Sequence, residues 1–221
     1  MDQMEFIIDD VRVEYDLESL GRKLRIRSSA RAEALLKKLV EEAEAIARPR
    51  AGFKHCAMSF GEGDEVIVDG MTFNSTLLRE NFEGLGRVFP FLATEGSELA
   101  EWGRAYSGMD RIFANTIQQE AMRMARSKME SFIMDKFGLP QVSAMNPGSL
   151  IIWPITQQVP LFKLLSPLDE KLGVTLLPTF MMKPEQTVSG FFFQTDSKFH
   201  NCQLCPREDC PNRQAPYSGM D

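Results

Sequence analysis

The chain has 221 residues, 43% of them hydrophobic and 25% charged, with a formal net charge of −6. That length supports one well-buried core, or one core with a small appendage. The acidic balance, with a pI near 5.1, argues against nucleic acid as the main partner, because phosphate binding needs a basic footprint.

No apolar run approaches the roughly 18 residues of a membrane-spanning helix. The acidic N-terminus, MDQMEFIIDDVRVEYD, lacks the basic and apolar regions of a signal peptide. A cytoplasmic location is expected, and there the four cysteines are free thiols or metal ligands rather than disulfides. The first strong element is a helix over Ser29–Ala47. Leu35, Leu36, Leu39, Val40, Ala43, Ile46 and Ala47 recur at helical spacing, with Ser28 or Ser29 as cap. RPRAG breaks the chain. FKHCAMSF and DEVIVDG follow as a hairpin about Gly61–Asp64. NSTLLRENFEGL predicts a short helix capped by Asn74 or Ser75. GRVFPFLAT predicts a strand whose proline, Pro90, belongs at an edge or a bulge. Thr94 or Ser97 is placed to cap a helix running through Trp102.

The longest helix is expected from about Gly108 or Asp110 to Lys136. Phe113, Ile117, Ala121, Met124, Met129 and Phe132 form one face, and Gly138 with Pro140 ends it. The proline-rich stretch NPGSLIIWP leads into a helix near ITQQVPLFKLL. GVTLLPTFMMKPE and QTVSGFFFQTD are two β-rich runs around Lys183, Pro184 and Glu185. Strands in hairpin pairs, without strict alternation with helices, give an α+β fold with an antiparallel β-sheet and packed helices. The 13 methionines are read as core filler.

Chemistry is sparse. The glycine-containing turns EGLGRVF and GEGDEV lack the spacing of a phosphate cradle. The only histidines, His55 and His200, form no nucleophile–base pair that spacing reveals. The carboxylates default to solvated helix faces. Near the C-terminus, HNCQLCPREDCPNR brings three thiols into nine positions, Cys202, Cys205 and Cys210. Those thiols are donors for one metal centre, with His200 or Cys56 as fourth ligand. Zinc accepts either set, and an iron–sulfur cluster prefers four thiolates. The tail has too few apolar residues to order itself by burial, so ligation would supply its folding free energy.

Two stretches carry a resemblance. NPGSLIIWPITQQVPLFKLL and GVTLLPTFMMKPEQTVSGFFFQTDSKF present, in order, Pro147-Gly148, Gly173, Leu176, Met181 or Met182, Pro184, Val188-Ser189-Gly190 and Asp196-Ser197-Lys198-Phe199. This series resembles the activation (reactivation) domain of vitamin B12-dependent methionine synthase. RPRAGFKHCAMSF and FPFLATEGSELAEW, followed by the long helix, resemble the free-standing members of that family. The resemblance covers most of the chain. It implies an activation-domain-like unit over 1–199, with an N-terminal part to about 107, the long helix over 108–137, and a ligand loop and final hairpin over 144–199. The cysteine-rich tail is 200–221.

The resemblance also implies function. The domain binds S-adenosylmethionine and holds it over a corrinoid, so that reduction of inactive cob(II)alamin is trapped by methyl transfer. No corrinoid-binding segment is evident in this chain. The expected partner is therefore a separate corrinoid protein or B12-dependent methyltransferase of one-carbon metabolism, with no nucleic acid or membrane partner. The ligand positions carry over as Glu130 on the long helix, Asn146 and Gly148 through backbone groups, Ser149 and Phe199, with Glu130, Asn146, Gly148 and Phe199 expected to line one shared cleft. Three positions depart from the family pattern. Ala144 stands where the family has an arginine, and Ser149 and Phe199 stand where it has tyrosines. These departures motivate an alternative, a non-enzymatic corrinoid-protein-binding module with a metal or iron–sulfur tail that has lost S-adenosylmethionine.

Overall fold

The computed structural model describes residues 4–149 and 152–196 and, of the tail, 201–203, 205, 207, 209, 210, 213 and 215–217. Its frame is the strand β2 (Arg50–Phe60), long enough to pair twice along one edge. Its first half pairs with β1 (Met4–Ile8) and its second with β3 (Glu65–Val68). β4 (Met71–Asn74) continues from β3, and β5 (Arg87–Thr94) lies on the other side of β2. β9 (Thr187–Gln194) follows β5, and β6 (Val142–Met145) closes the far edge. The result is a seven-stranded sheet in which every pair is antiparallel. The α+β antiparallel expectation holds.

Alternation along the strands sends side chains to two faces. One face carries Cys56, Val88, Leu92, Phe191 and Phe193. It is covered by α3 (Thr76–Phe82), α6 (Gln158–Leu165) and α7 (Leu168–Lys171), with Trp153 stacked on Phe191. Gly52 makes the α7 contact feasible, since a Cβ there would lie 2.7 Å from Leu168 Cδ1. On the same face the buried Lys54 donates to the carbonyls of Leu164 and Ser166, so a cation satisfies the end of α6. The other face carries Phe53, Phe89, Phe91 and Phe192 beneath α5 (Gly108–Phe137). A third cluster joins the start of α5 to α1 (Leu17–Lys23), α2 (Ala30–Ile46) and α4 (Ser97–Arg104).

Several local expectations are met. Ser29 Oγ accepts from Ala32 N–H at 3.3 Å and caps α2, and Ser75 Oγ accepts from Leu78 N–H and caps α3. Gly138 ends α5 in the left-handed conformation, with φ of 62°. Three expectations need correction. Pro90 is not at an edge, because β5 is central; the β2–β5 register is interrupted at Lys54 and His55, opposite the residue that has no N–H to offer. α4 is capped by neither Thr94 nor Ser97: its N-cap is Gly96, whose φ of 88° suits glycine. The last two β-rich runs do not pair with each other. β7 (Thr175–Leu176) and β8 (Met182–Lys183) form their own two-stranded sheet, while β9 inserts between β5 and β6.

Among the described residues no helix is long and apolar enough to cross a membrane.

Candidate functional site

The turn after β6 is built by one left-handed residue. Gly148 has φ of 80°, its N–H donates to Trp153 O at 2.8 Å, and Ser149 N–H donates to Asn146 O at 3.2 Å. A Cβ at 148 would lie 2.6 Å from Ile155 Cδ1, so only glycine fits both the conformation and the space. The turn is locked onto β9 by Asn146, whose Nδ2 donates to Ser189 O at 2.7 Å. Ser189 Oγ in turn donates to Gln158 Oε1 at 3.1 Å, fixing the start of α6. Gly190 lies where Asn146 crosses the strand; a Cβ there would lie 2.0 Å from Met145 O and 2.7 Å from Asn146 Nδ2.

These contacts enclose a cleft of about 260 Å³ between the 146–149 turn, the start of α6 and the 180–189 segment. Its polar groups include Asn146, Gln158, Thr187, Ser189 and the Glu185 carboxylate, and its apolar wall comes from Ile155, Phe180, Met181, Met182 and Val188. Among the described residues, no lysine, arginine or histidine lines it. Such a cleft suits a small, partly apolar ligand that is neutral or cationic rather than an anion. Met181 and Ile155 reach the surface, 60% and 38% exposed, and give the mouth an apolar rim.

Of the expected ligand residues, Asn146, Gly148 and Ser149 line this cleft together. Glu130 is not among its lining residues. It is half-buried on α5, where its carboxylate faces Arg126 one turn earlier. Phe199 and His200 lie outside the described residues. Gln158, Glu185 and Ser189 were not singled out as ligand residues. Ser189 stood in the quoted Val-Ser-Gly run, the one signal that pointed to it.

Arg126 was also unanticipated. Its guanidinium packs over the Phe192 ring at 5.3 Å, and Phe192 is the cross-strand partner of Ala144. Its Nε is buried without a partner. Burial pushes its pKa down, and Glu130 partly opposes that shift. A guanidinium therefore stands beside the very position where the resembled family has one and this chain has alanine. Gly190, which Asn146 crosses, and Phe192, which Arg126 covers, lie two residues apart on one face of β9.

In the tail, Cys202, Cys205 and Cys210 are partly exposed, but no group of three His, Cys, Asp or Glu among the described residues is placed to hold a metal ion. Cys56 is a core residue of β2, fully buried, and burial together with Asp69 pushes its thiol pKa up, against the thiolate a metal needs. Among the described tail residues, Arg213 ties several carbonyls together. Its guanidinium donates to the carbonyls of Cys202 (2.8 Å), Cys205 (2.9 Å), Arg207 (2.6 Å) and Ala215 (3.0 Å). Lysine cannot reproduce that fork. Arg213→Lys should therefore speed proteolysis of the tail at least about tenfold, as expected when charged hydrogen bonds of about 1.5 kcal/mol or more are lost. Unchanged cleavage in the variant, with cleavage speeded by a chelator, would show that a metal is the staple instead.

No family model matches the chain, and no curated protein matches it in sequence. Among solved structures it is similar to the MetH reactivation domain bound to AdoHcy, with a TM-score of 0.63, 14% identity, and coverage of 89% of this chain and 80% of that one. At that identity the likeness is one of architecture: the chain has the α+β antiparallel-sheet fold of the MetH reactivation domain.

Proposed function

We propose that this chain binds S-adenosylmethionine in the cleft at Asn146–Ser149 and acts in trans on the corrinoid of a B12-dependent methyltransferase. The observation that carries this reading is the cleft itself, a glycine turn clamped to β9 in a fold shared with a domain solved bound to AdoHcy, the demethylated product of S-adenosylmethionine. The lining agrees with a sulfonium ligand. Glu185, Met181 and Met182 line the space, the Glu185 carboxylate is ion-paired to Arg111 at 3.2 Å, and among the described residues no lysine, arginine or histidine lines the cleft against a positive sulfur. Arg126 is the candidate guanidinium for the ligand carboxylate, in the role for which Ala144 is unfitted. Glu130 then acts by holding Arg126.

Once bound, the sulfonium passes its methyl group to the partner's corrinoid after that corrinoid has gained one electron from an external donor. The chain contributes position. It must hold the methyl at the cleft mouth while excluding water, and the exposed Met181 and Ile155 give that mouth an apolar rim for the partner. The tail thiols Cys202, Cys205 and Cys210, with His200, are proposed to bind zinc or an iron–sulfur centre, and metal analysis of protein purified without oxygen tests that part separately.

The function is tested with methyl-labelled S-adenosylmethionine, a cob(II)alamin-loaded methyltransferase and a one-electron reductant. Label should reach the corrinoid only when this chain is present. Asn146→Ala should lower the transfer about tenfold, consistent with about 1.4 kcal/mol for one well-placed hydrogen bond. No transfer, with the chain still bound to the corrinoid protein, would favour the non-enzymatic binding module, a reading that rests on Ala144, Ser149 and Phe199 replacing the family's arginine and tyrosines.

A further inference from the structure

We infer that a second pocket, between α4, α5 and the 183–185 segment, binds a small zwitterion that carries both an ammonium and a carboxylate, namely a free amino acid. The pocket encloses about 230 Å³ and shares only Glu185 with the first cleft. The proposal does not depend on S-adenosylmethionine binding there.

Three unsatisfied polar atoms carry the argument. Glu95 is fully buried. Its Oε1 accepts from Gln186 N–H at 3.1 Å, and its Oε2 is buried without a well-formed hydrogen bond, near the Gln118 side chain and the Arg111 charge. Gln118 is buried beside it. Its Nε2 donates to Leu99 O at 2.9 Å, which leaves Oε1 as an acceptor, also buried and unpartnered. Arg111 gives its Nη2 to Glu185 at 3.2 Å, while its Nη1 is buried without an acceptor. All three side chains line the same space. Buried polar groups in folded proteins are nearly always paired, so three orphans on one pocket ask for a ligand that pairs them.

The chemistry of the orphans defines that ligand. Two acceptors call for a group with several donors, and an ammonium has three. The Arg111 donor calls for an acceptor, and a carboxylate suits a guanidinium best. Lys183 and Arg104 also line the pocket, Arg104 with its charge paired to Glu101. The space exceeds what one water needs, so a single ordered water does not fill it. The local sequence is also shaped for the amide. A Cβ at Gly103 would lie 2.4 Å from Gln118 Nε2, so α4 carries a glycine in its interior, at a cost in helix propensity, where the amide must enter. Burial raises the Glu95 pKa against the opposing pull of Arg111, and an ammonium ligand would add to that opposing charge.

The experiment is a calorimetric titration of the full chain with glycine, alanine, serine and glutamate, together with ethylamine and propionate, which lack one charged group each. At least one amino acid should bind saturably, and both single-charge compounds should bind at least about tenfold more weakly. Glu95→Gln and Arg111→Gln should each weaken the binding by a similar factor, while Asn146→Ala in the first cleft should leave it unchanged. Circular dichroism confirms that the variants fold, and Arg111, at the surface, keeps the test open if Glu95→Gln does not. Absence of binding by all four amino acids would overturn the proposal. So would binding that both variants retain. Displacement by S-adenosylmethionine would make the pocket an extension of the first cleft and overturn its assignment as a separate site.

Discussion

Gly190→Ala should destabilise the protein by about 3 kcal/mol, the upper range for forcing atoms into a packed interior. The added Cβ would meet Met145 O at 2.0 Å, a backbone atom of the neighbouring strand that cannot rotate away. It would also meet Asn146 Nδ2 at 2.7 Å, the atom that ties the glycine turn to Ser189. Relief requires β6 to move off β9, and the turn that forms the cleft moves with it. Urea unfolding should show a lower midpoint with an unchanged slope, and ligand binding should be lost at denaturant concentrations where the variant is still folded. A change within about 0.5 kcal/mol, the usual range for an innocuous surface substitution, would show that the β6–β9 approach is not as close as described.

Glu95→Gln should stabilise the protein in a way that depends on pH. Burial pushes the Glu95 pKa up to about 7, with Glu185 acting in the same direction and the Gln186 N–H opposing. Between its ordinary value of 4.5 and about 7, the folded state holds a proton that the unfolded state has released. The native protein therefore binds more protons in that window, and its stability falls as pH rises through it. Glutamine stays neutral throughout and keeps the acceptor for Gln186 N–H. The variant should match the wild type below pH 4.5 and exceed it above pH 7, by about 3 kcal/mol at the conversion of 1.36 kcal/mol per pKa unit. Chemical denaturation at several pH values checks this. A difference between the two proteins that does not change with pH would mean that Glu95 ionises normally.

How far the sequence disclosed these features depended on how local their causes are. α2 and α5 were legible because period, cap and terminator all lie within each segment: Ser29 before α2, Gly138 after α5. β1 and α1 went unread because the N-terminal segment was weighed for its charge and not for its MEFII alternation. The place of β9 was not legible. Phe191, Phe192 and Phe193 are buried on both faces, so no alternation marks a side, and what sets its neighbours is the missing Cβ of Gly190 beneath Met145 O. Pro90 misled for a related reason. A proline argues for an edge, yet here a two-residue gap in the ladder absorbs the lost donor inside the sheet.

The same holds for the sites. Asn146, Gly148 and Ser149 are consecutive or nearly so, and the resemblance of their Pro-Gly turn to the family's ligand loop pointed to them. Gln158, Glu185 and Ser189 reach the cleft only through tertiary packing. Glu95 is a carboxylate that defaulted to a solvated face, whereas packing buries it, and Arg126, half-buried over Phe192, drew no notice in the sequence. Burial of a charge is a property of the assembled layers, and no local pattern announces it.

The most direct test of the central claim is isothermal titration of the chain with S-adenosylmethionine, run in parallel with Gly148→Val, whose side chain would strike Ile155 and whose backbone cannot hold φ of 80°. The account predicts one saturable site in the wild type, with affinity reduced at least about tenfold in a variant that strains the turn. No heat with the wild type at millimolar ligand, or equal binding by the Gly148→Val protein, would contradict it.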